Sequence, residues 1–147
     1  MYDHILLPTD GSDHSTAAAR QALGLAETFD ATVHGLYVVD TGTNWLTVSK
    51  LDVEASLREV SEVAGDRALT AFEDLAAGYD APIRTEVREG SVDEAILGYA
   101  ADHDVDLVVM GTHGRDSVAR RVVGSVAERV VRGATVPVMT VSASATE

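Results

Sequence analysis

Five short runs of β-branched and aliphatic residues recur along this chain, and segments with helical spacing separate them. The runs are His4–Leu7 (closed by Pro8), Thr32–Val39, Pro82–Arg88, Leu107–Met110 and Val138–Val141. Between them lie an alanine-rich segment from Asp13 to about Thr28, a long one from Val53 to Ala77, one from Ser91 to about His103, and Ser125–Arg132. Strict alternation of strand and helix predicts a doubly wound α/β fold: a five-stranded parallel sheet with helices on both faces. Right-handed crossovers leave few arrangements, and the strand order 3-2-1-4-5 is expected.

Local signals place the elements. Ser12 is a suitable N-cap for the first helix, whose alanines give it a small-residue face that can lie close on a sheet. Val53, Leu57, Val60, Ala64, Ala68, Ala71 or Phe72, and Leu75 share one face of the long helix, and Gly78 is its expected stop. Ser91-Val92-Asp93-Glu94 reads as a capping box. Residues 41–52 hold the single tryptophan, Trp45, without a clear period and read as a mobile connection. Trp45 there is either a lid or partner contact or incidental packing. The tail from Ser142 to Glu147 is expected to fray.

In the expected order the first and fourth strands are neighbours at the switch point, and a ligand binds beyond their carboxyl ends. Two segments rich in turn residues fall there. One is Pro8-Thr9-Asp10-Gly11-Ser12; the other runs from Gly111 to Ser125 and carries Gly111, Gly114 and Gly124. Lacking Cβ, these glycines can take φ > 0 and admit a phosphate against the main chain, and a helix N-terminus offers amide donors with a favourable dipole. Ser125 adds a hydroxyl donor, and Asp10 is an acceptor suited to a sugar hydroxyl. Both also have a plainer role. Ser125-Val126-Ala127-Glu128 is a capping box, and Asp10 can cap the first helix.

Charge narrows the partners. Twenty-four acids against eleven bases, a formal net charge of −13, argue against nucleic acid and anionic membranes. Lys50 is the single lysine, and an acidic, lysine-poor surface suggests a salt-rich cytoplasm. Arg115, Arg120, Arg121, Arg129 and Arg132 cluster with only Asp116 and Glu128 among them, a local positive field suited to a small anion. The chain has no cysteine, so thiolate metal sites and disulfides are excluded. No run approaches the ~18 apolar residues of a membrane helix, and no signal-peptide layout is seen; a cytoplasmic protein of one domain over 1–147 is expected.

Several nucleotide and catalytic motifs are missing. There is no G-x-x-x-x-G-K-[ST], no G-x-G-x-x-G after the first strand, and no G-x-S-x-G. A phospho-acceptor receiver would need Asp and Lys where Glu89-Gly90 and Ser142 stand. His4, His14, His34, His103 and His113 show no metal-ligand spacing, and only His113 falls within the glycine segment.

Gly111-x-x-Gly114, nine residues, then Gly124-Ser125 resembles the G-2x-G-9x-G-[ST] pattern of the ATP-binding branch of the universal stress protein family. His4–Ser12 is similar to that family's first strand and turn, Leu36–Asp40 to its second strand end and Val136-Pro137-Val138 to its last strand. The resemblance implies roles. Asp10 would hold the ribose or adenine side with Pro8 and Thr9 lining the pocket, and the Val38 backbone would meet the adenine edge. Met110 and Gly111 would open the phosphate loop, Gly114 would admit the phosphates, and His113 would lie near them. Gly124, Ser125 and the Val126 amide would bind phosphate. The implied ligand is ATP, AMP or another adenine nucleotide, with Mg²⁺ on the phosphates. The implied role is a stress or signalling module. Slow ATP hydrolysis or nucleotidyl transfer in the same pocket is the enzymatic alternative, with His113 as sole candidate base; a nucleotide-free interaction module is the third. Val138–Val141, expected at a sheet edge, would pair in a homodimer as in similar proteins.

Overall fold

The computed structural model describes residues 1–41, 51–112 and 125–142, with the backbone alone for 51–61. Trp45, most of the 41–52 connection and the last five residues lie outside them. The elements are β1 (His4–Pro8), α1 (Asp13–Phe29), β2 (Thr32–Asp40), α2 (Leu51–Ala76), β3 (Ile83–Gly90), α3 (Val92–Asp102), β4 (Leu107–Gly111), α4 (Ser125–Gly133) and β5 (Val138–Val141). The sheet has the order β3-β2-β1-β4-β5, and every neighbouring pair is parallel.

Side chains alternate across the sheet, so its central strands feed two cores. Ile5, Leu7, Val33, Leu107 and Val109 pack with Ala18, Ala19, Ala22 and Ala26 of α1 and with Phe72 and Ala76 of α2. On the other face Leu6, Leu36, Val108 and Met110 meet Ile96 and Tyr99 of α3 and Ala127 and Val130 of α4. Alanine on α1 brings that helix close to the sheet. For α2, Phe72 is buried and Ala71 exposed, which settles the helix's inward face. Glycine fills the gap beneath: a Cβ on Gly35 of β2 would lie 2.7 Å from two Phe72 ring carbons.

Three local expectations change. Ser12 does cap α1, accepting from the Ser15 amide at 3.2 Å. Ser91 precedes α3, but its hydroxyl donates to the Asp93 carboxylate at 3.1 Å and makes no cap bond to the helix. The hydroxyl is turned to the Asp93 carboxylate, and its oxygen accepts from none of the helix amides. Gly78 lies beyond the end of α2 without a left-handed backbone; its amide donates to the Leu75 carbonyl at 3.2 Å. The connection read from residue 41 is shorter than expected, because Leu51 and Asp52 already belong to α2.

The two sheet edges differ. β3 carries Arg84, Glu86 and Arg88, with Arg88 Nε 2.6 Å from a Glu86 oxygen. β5 carries Val138, Met139, Thr140 and Val141, of which Met139 and Thr140 are exposed. No described helix is long and apolar enough to cross a membrane.

Candidate functional site

The carboxyl ends of β1 and β4 are adjacent, as a switch point requires. Beyond Pro8, the Thr9 amide donates to the Leu36 carbonyl at 2.9 Å, which holds the turn against β2. Asp10 Oδ1 accepts from the Ser12 amide at 2.9 Å, a side-chain turn that fixes the carboxylate next to the helix start. Gly11 between them has φ 81°, the left-handed backbone that glycine adopts without strain. Ser12, not Asp10, is therefore the N-cap residue of α1.

Ser15 was not evident in the sequence. It is 5% exposed, and its hydroxyl donates to the Ser12 carbonyl at 3.0 Å while accepting from Thr9 Oγ1 at 3.1 Å. Thr9 Oγ1 in turn accepts from the Gly11 amide at 3.2 Å. Thr9, Gly11, Ser12 and Ser15 thus form one hydrogen-bonded unit, and the turn bearing Asp10 is fixed by it. The sequence signal was available: a second serine three residues after an N-cap faces back toward it.

At the end of β4, Met110 is buried in the α3–α4 core, and Gly111 abuts α1. A Cβ on Gly111 would lie 2.8 Å from His14 Cβ, 2.9 Å from its carbonyl carbon and 3.0 Å from its oxygen. Gly111 does not have positive φ, so the expected reason for this glycine is corrected: it is there for the close approach of the α1 backbone. The next residue, Thr112, donates its amide to the Val141 carbonyl at 3.0 Å. Its Oγ1 is a buried side-chain oxygen without a hydrogen-bond partner among the described residues. An unsatisfied hydroxyl at the end of β4 fits a site for a polar ligand.

Val38 is half-buried one strand away on β2. Ser125 and Val126 open α4, which returns to the start of β5, so its N-terminus lies at the carboxyl end of the sheet. Glu128 pairs with Arg132 one turn on, at 3.1 Å. The fold thus sets Pro8, Thr9 and Asp10, at the end of β1, beside Met110 and Gly111 at the end of β4, with Val38 on the adjoining β2. His113, Gly114 and Gly124 lie outside the described residues. No group of three or more His, Cys, Asp or Glu side chains among the described residues could hold a metal ion.

The family model of the universal stress protein family matches residues 1–142. The chain belongs to that family. A universal stress protein of Methanocaldococcus jannaschii is 39% identical over 144 residues, covering 96% of this chain and 82% of the relative. The structure of the universal stress protein UspA from Lactobacillus plantarum superposes with a TM-score of 0.83 at 30% identity, covering 95% of this chain and 97% of that one. A universal stress protein solved in complex with cAMP superposes at 0.74 with 25% identity, covering 97% and 99%. The strand order read from the sequence is that of the universal stress protein fold, and at least one structural neighbour binds an adenine nucleotide.

Proposed function

We propose that the chain is a single adenine-nucleotide-binding module that takes ATP, with Mg²⁺ carried on the phosphates, and serves a stress or signalling role in a salt-rich cytoplasm. The observation that carries this reading is the convergence of Pro8–Asp10 and Met110–Gly111 at the ends of adjacent strands, with α1 packed directly on Gly111. In this reading Asp10 takes the ribose, Pro8, Thr9 and the Val38 backbone take the base, and Gly111 opens the phosphate cradle. Gly114, Gly124, Ser125 and the Val126 amide complete the cradle, with His113 beside the phosphates. The cAMP complex of a relative supports the adenine nucleotide class. The nucleotide supplies charge and, when Mg²⁺ is bound, a metal-bridged polyphosphate; the protein contributes mainly uncharged donors to it.

Denaturing freshly purified protein and chromatographing what is released tests the class of ligand. An adenine nucleotide is the expected product. Excess MgATP, at about a hundred times Kd, should stabilise the apo protein by about 2.7 kcal/mol, a rise in melting temperature of roughly 5–10 °C. No released nucleotide together with an unmoved melting curve would overturn the reading.

The same proposal includes a homodimer that pairs β5 with its symmetry mate. The exposed Met139 and Thr140 on a strand with one unpaired edge support it. Light scattering at micromolar protein should return the mass of two chains, and Met139→Lys should return one. A wild-type monomer at that concentration sinks the dimer while leaving the nucleotide proposal intact.

A further inference from the structure

At the end of the sheet remote from Pro8–Asp10, a chain of aromatic and imidazole groups crosses from the sheet to α3. His34 of β2 is 1% exposed, yet both its ring nitrogens have partners. Nε2 lies 3.0 Å from His4 Nδ1 of β1, and Nδ1 lies 2.7 Å from the Tyr99 hydroxyl of α3. Tyr99 is itself 1% exposed and stacks on the His103 ring, with centroids 3.9 Å apart and planes at 14°. His103 also meets His34 edge-on at 5.8 Å, so His34 touches both other imidazoles and the Tyr99 hydroxyl. These contacts are polar ties between α3 and the centre of the sheet; the rest of that layer is apolar: Leu6, Leu36, Ile96, Val108, Met110, Ala127 and Val130.

The charges facing this cluster come from every neighbouring element. Arg84 sits opposite His34 in the β2–β3 register, and the Arg88 guanidinium lies 4.8 Å over the Tyr99 ring. Arg88 is paired with Glu86 at 2.6 Å and with Asp102 of α3 at 3.2 Å. Asp106 accepts from the Asp3 and His4 amides, at 3.0 and 3.3 Å. A neutral His34 satisfies its two partners with one donating and one accepting nitrogen. A proton on it makes both nitrogens donors and puts a cation in a dry site beside two imidazoles and Arg84.

We propose that His4, His34, Tyr99 and His103 form a proton-operated latch: neutral, it fastens α3 to the sheet, and protonated, it lets the α3–α4 layer loosen while the α1–α2 layer stays packed. The layer acts as a unit because α4 rests on α3, with Arg129 3.8 Å from Asp93 and Leu97 filling the space above Gly133. The other core has no buried imidazole: Ser15 and His34 are the buried polar residues among those described.

Burial first, then the charges of His4, His103 and Arg84, outweigh Glu86 and lower the His34 pKa to about 4 from an ordinary 6.5. The latched state therefore binds fewer protons than the released one. Its contribution is complete above the ordinary value and is lost as pH falls from there toward the lowered one. Between about pH 7.5 and about pH 4.5 the opening equilibrium of this layer should rise by up to about 70-fold.

Hydrogen–deuterium exchange of the full chain in molar KCl, corrected for intrinsic rates, tests the latch without any nucleotide. Protection in α3 and α4 should fall by tens-fold over that interval, and protection in α1 should change by far less. His34→Gln keeps one donor and one acceptor but does not titrate, and it should bring the acid response of α3 down to that of α1. His4→Gln, on the half-buried first residue of β1, should reduce the response without abolishing it, so the test survives a His34 variant that fails to fold. Parallel loss of protection in both layers, or a wild-type acid response in either variant, overturns the latch.

Discussion

Gly111→Ala is expected to lower the melting temperature by roughly 6–12 °C and to weaken MgATP binding by at least about tenfold. The methyl group would land within 3.0 Å of the Cβ, carbonyl carbon and oxygen of His14. Two of those atoms belong to the backbone of the first turn of α1, and no rotamer change relieves them. Either α1 lifts from the sheet or the end of β4 swings away, at about 3 kcal/mol, the upper part of the usual range for overpacking. The affinity loss follows from the same movement, because it separates Thr9 and Asp10 from the start of the phosphate cradle. Thermal melting and nucleotide titration read the two consequences separately. The melting loss rests on packing alone; the affinity loss rests on the proposed site. Alanine at Gly24, where a Cβ meets nothing within 4 Å, is the control and should not lower stability. A Gly111→Ala protein that melts like the wild type would show that α1 and β4 do not need their close approach.

Gly35→Ala should cost about 2–3 kcal/mol, this time without touching the proposed nucleotide site. Its Cβ would sit 2.7 Å from two ring carbons of Phe72, which is 3% exposed and enclosed by Ala22, Ala76 and the strands beneath. A flat, buried ring has little freedom to yield. Truncating the ring alone, Phe72→Ala, should cost about 3–5 kcal/mol through the cavity it leaves. The double variant should be more stable than the sum of the two losses implies, by 1 kcal/mol or more, because each change relieves the defect of the other. Chemical denaturation of the four proteins measures this coupling directly. Additive losses would mean that α2 does not seat Phe72 on Gly35.

These glycines show where reading the sequence works and where it stops. The alternation of strand and helix and the order of the strands follow from local pattern and the handedness of crossovers, and the structure has both. Position in that order was enough to bring Pro8, Thr9 and Asp10 to Met110 and Gly111. Packing across distant elements was not legible. Nothing near Gly35 in the chain announces Phe72, and nothing near Gly111 announces His14; the contacts exist only once the sheet is assembled. Gly111 was singled out for backbone freedom, but its backbone is ordinary and its neighbour is the reason. Ser91 makes no cap bond for a local reason, because its hydroxyl is turned to the Asp93 carboxylate two residues on. The histidines gave no spacing signal because His4, His34 and His103 meet through three different elements.

The unequal edges of the sheet set a limit on growth. An open parallel sheet has two strands with unsatisfied backbone groups, and a protein sticky at both can add copies without end. Here β3 lines its border with Arg84, Glu86 and Arg88, so an approaching strand would have to desolvate a row of charges. Thr85 and Val87 are exposed between those charges, whereas β5 has no charged residue among its four and exposes Met139 and Thr140. In the proposed dimer β5 would be the border that joins, and the charge-bearing β3 would be left outside. A filament would require β3 to adhere as well, and its row of charges opposes that.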